Sequence, residues 1–410
     1  MRLTTVLRRL LGVTRMIVES ARFRGDGTLG VCVRPTWRRS RCGQCGRTAP
    51  RYDRRPVRRW RHLPWGRTPV ELVYEPWRVS CRRCGIRVEQ VSWASRASRF
   101  SEAFEEFAAY LSQITDRTQV HRLLGISWET VGSIVERVVA RRLDPGRLSG
   151  LRRIGIDEFS YRKRHRYLTL VVDHDRGRVV WAGEGRSAET LAPFFALLGP
   201  EGCRALELVT IDLSAAYLKA VREALPQAEI VFDRFHVQRL AADALDEVRR
   251  SLVRELATDP DQARAVKRTR FVLLKNPWNL SRSQRLKLSE VQHTNQRLYR
   301  AYLLKETLAQ ALDYRQPARA RRALIEWLAW ASRSRLQPFV RTARTIRKHL
   351  HGILAYARTR LTNGLTEGLN AKIRMIARRA YGFHSHQALT AMIFLTCGGI
   401  QLAPPLPTRS

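Results

Sequence analysis

Three acids and two pairs of cysteines are the residues whose types and spacing could do chemistry. Asp157 closes the apolar run Ile154-Gly155-Ile156, and an acid on such a strand is costly to bury unless it is paired, protonated or bound to a metal. Asp212 ends a second run, Leu206-Glu207-Leu208-Val209-Thr210-Ile211, and Glu367 falls in the first turns of a helix that starts at Thr362-Asn363-Gly364. Three carboxylates brought together repel one another and carry raised pKa values unless divalent cations neutralise them. Such a cluster therefore predicts two hard, oxygen-ligated ions, Mg2+ or Mn2+. Two ions about 4 Å apart can activate a water and stabilise the leaving 3′ oxygen in an in-line attack on a phosphodiester.

Each acid also has a simpler reading. Asp212 could cap the helix after Ser214, Glu367 could favour its helix N-terminus, and Asp157 could pair with an arginine. Glu158, next to Asp157, should point to the opposite face of the strand. Asp233-Arg234-Phe235-His236 stands at another strand-to-helix junction. There Asp233 is either a helix cap or a substrate contact, and His236 either a core histidine or a substrate contact.

Cys42-Gly43-Gln44-Cys45 and Cys81-Arg82-Arg83-Cys84 are each followed by a glycine, Gly46 and Gly85. Two such knuckles aim four thiolates at one tetrahedral Zn2+, and glycine permits the positive φ of the turn. A structural zinc site is expected, with redox dithiols as the competing reading. Cys32, Cys203 and Cys397 have no partner at this spacing and should be buried small hydrophobes.

The chain has 410 residues, 44% of them hydrophobic, and Lys+Arg outnumber Asp+Glu by 75 to 36. That is enough apolar residue to build several cores, and the chain is too long for one ordinary domain. A formal charge of +39 opposes the compact state, so a polyanionic partner, nucleic acid before membrane, is expected. No stretch of about 18 residues is apolar enough to span a bilayer, and the N-terminus lacks the apolar core of a signal peptide. A cytosolic, nucleoid-associated protein with mostly reduced thiols follows.

The elements that must position these residues run in order. Residues 1–30 hold a short apolar segment and possible strands. Residues 31–95 read as a zinc ribbon, with a β-hairpin marked by Val70, Leu72 and Tyr74 between the knuckles. Trp60, Trp65, Trp77 and Trp93 lie among its arginines, either as base-stacking platforms or as core. In 100–146 a short helix ends at Gly125 and another opens at Ser127, a helix-turn-helix or an ordinary αα-corner. Strands then follow at 154–158, 167–173 and 178–182. Next come a helix ending near Leu198 and delayed or kinked by Pro193, a strand to Asp212, a helix, a strand to Asp233, and a long amphipathic helix from Phe235 to Leu256. This succession over 150–257 is the strand order expected of an RNase H-like sheet. Residues 258–358 are helical throughout and read as an all-α insertion. Residues 359–402 bring the core's final helices, with Glu367. The fold class is α/β: an RNase H-like core interrupted by an all-α insertion and preceded by a zinc ribbon and a helix-turn-helix.

The chain resembles, over essentially its whole length, the ISL-three family of bacterial insertion-sequence transposases. The stretches that carry the resemblance are the knuckles, Trp60-Arg61-His62-Leu63, Gly125-Ile126-Ser127-Trp128-Glu129-Thr130-Val131, Gly155-Ile156-Asp157-Glu158-Phe159, Asp212-Leu213-Ser214 with Tyr217, Asp233-Arg234-Phe235-His236-Val237 and Glu367-Gly368-Leu369-Asn370-Ala371-Lys372-Ile373. The resemblance implies a DDE transposase whose metal-binding triad is Asp157, Asp212 and Glu367. It implies further that Asp233 and His236 act near the scissile DNA, and that the zinc ribbon and helix-turn-helix bind terminal inverted repeats. Cleavage and strand transfer into target DNA would need a homodimer or larger assembly holding two ends. Gly43 stands where the family usually has proline. A regulatory or domesticated DNA-binding protein and an RNase H-like nuclease or resolvase are the competing functions.

Overall fold

The structure, a computed structural model, describes residues 3–96, 98–162, 166–361, 364–380, 383 and 385–404. It is mixed α/β and divides into two compact units, Met1–Asp144 with Arg379–Ser410, and Pro145–Arg378. Lys163-Arg164-His165, between the strands expected at 154–158 and 167–173, and Thr362-Asn363, read as a helix start, lie outside the described residues.

In the first unit α1 (Leu3–Leu11) precedes β1 (Met16–Phe23), β2 (Leu29–Pro35), β3 (Arg51–Arg54), β4 (Arg58–Trp65), β5 (Thr68–Tyr74), β6 (Trp77–Cys81) and β7 (Gly85–Val88). They form a four-stranded sheet in the order β1-β2-β5-β4 and a three-stranded sheet in the order β3-β6-β7. The expected hairpin between the knuckles exists as β4-β5, but its neighbour is β2, and the knuckles belong to the smaller sheet. The reason is burial: Val70 and Leu72 complete a core with Met16, Val31, Val33, Trp60 and Trp93, whereas the cysteine cluster offers only Ala49 and Val79. Of the first thirty residues, Met16–Phe23 and the start of β2 are thus built into this sheet. Alternation from Val31 to Pro35 in β2 buries Val31 and Val33 and turns Cys32 outward, which corrects the expectation that Cys32 is buried. Cys203 is half-buried, and Cys397 is buried as expected.

Three helices follow, α2 (Glu102–Ile114), α3 (Arg117–Leu124) and α4 (Trp128–Arg142). Local chemistry sets their ends. The Ser101, Asp116 and Ser127 side chains accept from the backbone N–H groups of Phe104, Gln119 and Thr130, and Gly125 stops α3 at φ 56°; these are the caps that helix termini favour.

The second unit opens with β8 (Arg153–Arg162), β9 (Arg166–Asp173) and β10 (Arg178–Glu184). Then come α5 (Ala192–Ala205), β11 (Leu208–Ile211), α6 (Ala215–Ala224), β12 (Glu229–Phe232) and α7 (Arg234–Glu255). The sheet order is β10-β9-β8-β11-β12, with β8 to β10 antiparallel and β11 parallel to both β8 and β12. Pro193 sits in the first turn of α5, where its missing N–H costs nothing, and the break comes at Gly199, φ 73°.

From there to residue 359 the chain is helical: α8 (Pro260–Lys267), α9 (Arg270–Leu274), α10 (Arg282–Thr294), α11 (Gln296–Asp313), α12 (Pro317–Arg333), α13 (Gln337–Lys348) and α14 (Leu350–Thr359). α11 and α13 pack along α7, but α14 lies on β12. A Cβ at Gly352 would stand 2.5 Å from the Phe232 ring and 2.8 Å from the Ile230 carbonyl, so glycine is what lets this helix approach the strand. α15 (Gly364–Arg379) follows, and α16 (His386–Cys397) packs on α2 and α4 in the first unit. The stretch 359–402, read in the sequence as one piece of the core, is therefore divided between the units. No helix of the described residues is long and apolar enough to cross a membrane.

Candidate functional site

The sheet register aligns the aspartates. Thr210 lies opposite Gly155 in the parallel pair β11-β8, and Ile211 lies opposite Phe232 in the parallel pair β11-β12. Carrying each register on by a residue or two places Asp157, Asp212 and Asp233 in one row across three parallel strands. β11 and β12 end there, and the carboxyl ends of parallel strands are where open α/β sheets place ligands.

Asp157 is held from two sides. Its Oδ1 accepts from the Glu158 backbone N–H at 2.8 Å and its Oδ2 from the Asn370 amide on α15 at 2.7 Å. Burial pushes its carboxyl up to about 6, the Asp212 charge adds to this, and the Glu158 N–H and His236 oppose it. Glu158 is raised as well, by burial first and by Asp212 second. Glu367, on the exposed side of the first turn of α15, is raised by burial and then by Asp233, while His236 and Arg374 lower it. The charges acting on Asp157 are those of Asp212, Glu158 and His236; those acting on Glu367 are Asp233, His236 and Arg374. His236 is common to both sets. Among the described residues the oxygens of Asp157, Asp212 and Glu367 do not all lie within 4.8 Å of one another.

Asn370 is the residue that the sequence reading missed. It is buried, and its Oδ1, like Thr366 Oγ1, is a buried oxygen with no hydrogen-bond partner among the described residues. The signal was present, since Thr366 and Asn370 stand four apart on one helix face. Their helix comes close because Gly155 has no side chain: a Cβ there would lie 2.8 Å from both His174 Nε2 and Thr366 Oγ1 and 3.0 Å from Thr210 Oγ1. His174 Nε2 is hydrogen-bonded to Thr210 Oγ1 at 2.8 Å, and burial pushes this histidine down to about 4. Beside the row, Phe235 leaves its ring 64% exposed. A ring so placed adds nothing to a core.

The fit to divalent cations rests on the donor set: hard oxygens, one carboxyl held far above its ordinary value, and an orphaned buried amide oxygen next to it. The fit to zinc rests on geometry. The Sγ atoms of Cys42, Cys45, Cys81 and Cys84 all lie within 4.8 Å of one another, the one such metal-sized group among the described residues. Cys45 and Cys81 are 3.6 Å apart; a tetrahedron with Zn–S bonds of about 2.3 Å has edges of about 3.8 Å. Gly46 and Gly85 take φ of 71° and 72°. Backbone N–H groups of Arg83 and Cys84 draw the Cys81 thiol down to about 7, and burial with the neighbouring thiols pushes Cys84 up to about 12. Four thiols this close cannot all ionise without a cation. Gly43 donates its N–H to the Val88 carbonyl at 3.1 Å, and a Cβ on it would meet that oxygen at 2.5 Å, so proline could not stand there in this geometry.

Of the four tryptophans, Trp60 and Trp93 are core, packed edge to face at 5.7 Å. Trp65 is exposed, and Trp77 is covered by the guanidinium groups of Arg51 and Arg54.

Two family models match the chain. Residues 154–393 match one described as transposase, and residues 89–139 match one described as the helix-turn-helix domain of transposase family ISL3. The transposase for insertion sequence element IS1557 of Mycobacterium tuberculosis, found in two strains, is 40% identical over 444 aligned positions, covering 100% of this chain and 98% of the relative. The transposase for insertion sequence element IS1001 of Bordetella parapertussis is 34% identical over 362 positions, 88% of this chain and 89% of the relative. With one model matching more than half of the chain and a relative aligned along its full length, this chain belongs to the ISL3 family of transposases.

Proposed function

We propose that the second unit is an RNase H-like catalytic core, residues 150–257 with 359–378, in which Asp157, Asp212 and Glu367 hold two divalent cations, Mg2+ or Mn2+. The observation that carries this reading is the row of Asp157, Asp212 and Asp233 at the carboxyl ends of three parallel strands, crossed by the helix that bears Glu367 and Asn370. When bound, the cations would supply activation of the attacking water or 3′-hydroxyl and stabilisation of the leaving 3′ oxygen. The chain's own residues prepare that site. Asn370 fixes the orientation of Asp157 through its amide, and Gly155 admits α15 to hydrogen-bonding distance. Asp233 and His236 contact the DNA near the scissile bond. Residues 258–358 form an all-α insertion in this core.

In the first unit the four cysteines hold a structural Zn2+, and the zinc ribbon with α3 and α4 binds the terminal inverted repeats of the element. The enzyme is a DDE transposase, so the same site cuts at the repeat boundary and joins the freed end to target DNA without a covalent protein intermediate. Two ends must be held together, which requires a homodimer or larger assembly. The family does not favour a regulator without catalysis or a nuclease that cuts without joining.

The test is incubation of the full-length protein with labelled DNA carrying the repeats that flank its gene, in Mg2+ and in EDTA. Metal-dependent cuts at the repeat boundary, and strand-transfer products from a pre-cleaved end, are expected. Binding without cutting would leave a regulator, and cutting without transfer would leave a nuclease.

A further inference from the structure

The stretch 262–289 contains eight Lys and Arg residues and no Asp or Glu. On the same stretch three large apolar side chains stand in solvent: Phe271 on α9 is 74% exposed, Trp278 on the single turn Pro277–Asn279 is 70% exposed, and Leu286 on α10 is 67% exposed. Their supports are anchored. Val272 and Leu273 are buried directly after Phe271, Leu280 is buried two residues after Trp278, and Lys275 donates to Gln284 on α10 at 3.2 Å. The rings are held outward by a packed frame. Arg268, Lys275, Arg282 and Arg285 are exposed around them.

Arg264 and Arg270 of the stretch lie beside Asp261 and Asp246 at 3.8 and 3.6 Å, which leaves a ground that is mainly basic, and exposed rings on such a ground call for an occupant that is both anionic and flat. A second copy of this chain carries +39 and is repelled. Paired duplex presents phosphates but hides the faces of its bases. A single strand presents both, and proteins that hold single strands combine a cationic track with aromatic stacking platforms.

We infer that this helical surface binds single-stranded or unpaired DNA, with Phe271 and Trp278 stacking on bases and the surrounding arginines and lysines holding the backbone. The inference deepens the transposase reading by giving the helical segment a substrate, the strand left unpaired around a cut end. No component of the site at Asp157 is needed for it.

The experiment uses the full-length protein, a fluorescent thymidine oligonucleotide and a fully paired duplex of the repeat. Trp278→Ala and Phe271→Ala each remove an exposed ring and leave the packing intact. Each should weaken oligonucleotide binding about tenfold, the effect of one stacked base, while duplex binding stays at the wild-type level. Arg282→Glu with Arg285→Glu should reduce the salt dependence of oligonucleotide binding by about 0.7 per lost phosphate contact. Oligonucleotide affinity within twofold of wild type in the double ring variant, or equal weakening of oligonucleotide and duplex, would overturn the assignment. Failure of the wild-type protein to bind or cut the repeats, with ring-dependent oligonucleotide binding intact, would overturn the transposase reading and leave this surface standing.

Discussion

Replacing Glu105 with alanine should loosen the helix-turn-helix unit far more than a typical substitution does. The side chain is fully buried, at 0% exposure. It accepts hydrogen bonds from Ser98 Oγ at 2.7 Å, Arg137 Nε at 2.7 Å and Arg141 Nη1 at 3.2 Å. One carboxylate on α2 thus ties together two arginines of α4 and the segment that leads into α2. Removing one partner of a buried ion pair costs about 3–5 kcal/mol, because the other charge is left without compensation. Arg137 and Arg141 keep 28% and 22% of their side-chain surface in solvent, which places the cost near the lower bound, about 3 kcal/mol. At about 1.4 kcal/mol per tenfold, amide hydrogens of α2 and α4 that exchange by local opening should exchange about a hundredfold faster in the full-length Glu105→Ala protein. Glu105→Gln keeps the shape and part of the bonding and should cost about half as much in free energy. Hydrogen exchange read by mass spectrometry measures both. Exchange in α2 and α4 within threefold of wild type for Glu105→Ala would refute the claim that this ion pair holds the helices.

Other expectations follow from single observations. Gly155→Ala places a methyl group 2.8 Å from His174 and Thr366; overpacking should cost about 1–3 kcal/mol and lift α15 from Asp157, so cleavage should fall while binding to repeat DNA persists, and normal cleavage rates would contradict the close approach. Cys42→Ser should lower the zinc content by elemental analysis from about one ion per chain to near zero, since structural sites need all four ligands; retained stoichiometry would contradict the assignment. Burial pushes His62 down to about 4, with the Leu11 carbonyl opposing. Because its folded value lies below the ordinary value of about 6.5, the unfolded chain binds more protons between those limits. The stability it supports is complete above pH 6.5 and falls by about 1.4 kcal/mol per pH unit down to about pH 4. Urea unfolding followed by tryptophan fluorescence should therefore show the gap between wild type and His62→Asn moving by about 2 kcal/mol in favour of the variant from pH 7.5 to pH 5. A gap independent of pH would show that the histidine is not held neutral.

Which features were legible in the sequence follows the range of the interactions that set them. Gly125 and Ser127 fix helix ends through bonds to residues three or four away, so the turn between α3 and α4 could be read directly. The strands that carry Asp157, Asp212 and Asp233 were legible as apolar runs with acidic ends. Their alignment in one row depends on which residues face each other across strands 55 and 21 positions apart (212 − 157 and 233 − 212), and no local pattern encodes that register. Asn370 was visible as part of a motif, but its bond to Asp157 spans 213 positions. α16 shows the same limit: Leu389, Ile393 and Leu395 are all fully buried, and a helix apolar on several faces announces burial without naming the partner. Cys32 was misplaced because cysteine's usual burial was given more weight than its position between Val31 and Val33.

In the proposed mechanism Asp157 works only with a divalent cation. The direct measurement is the single-turnover rate at which full-length protein cuts a labelled repeat end in Mg2+, for wild type and Asp157→Asn, with end binding measured in parallel. Asp157→Asn should bind the end as wild type does and cut about a thousandfold more slowly, the loss of several kcal/mol of metal-borne stabilisation. Cutting by Asp157→Asn at the wild-type rate, or by wild type at the same rate in EDTA, would contradict it.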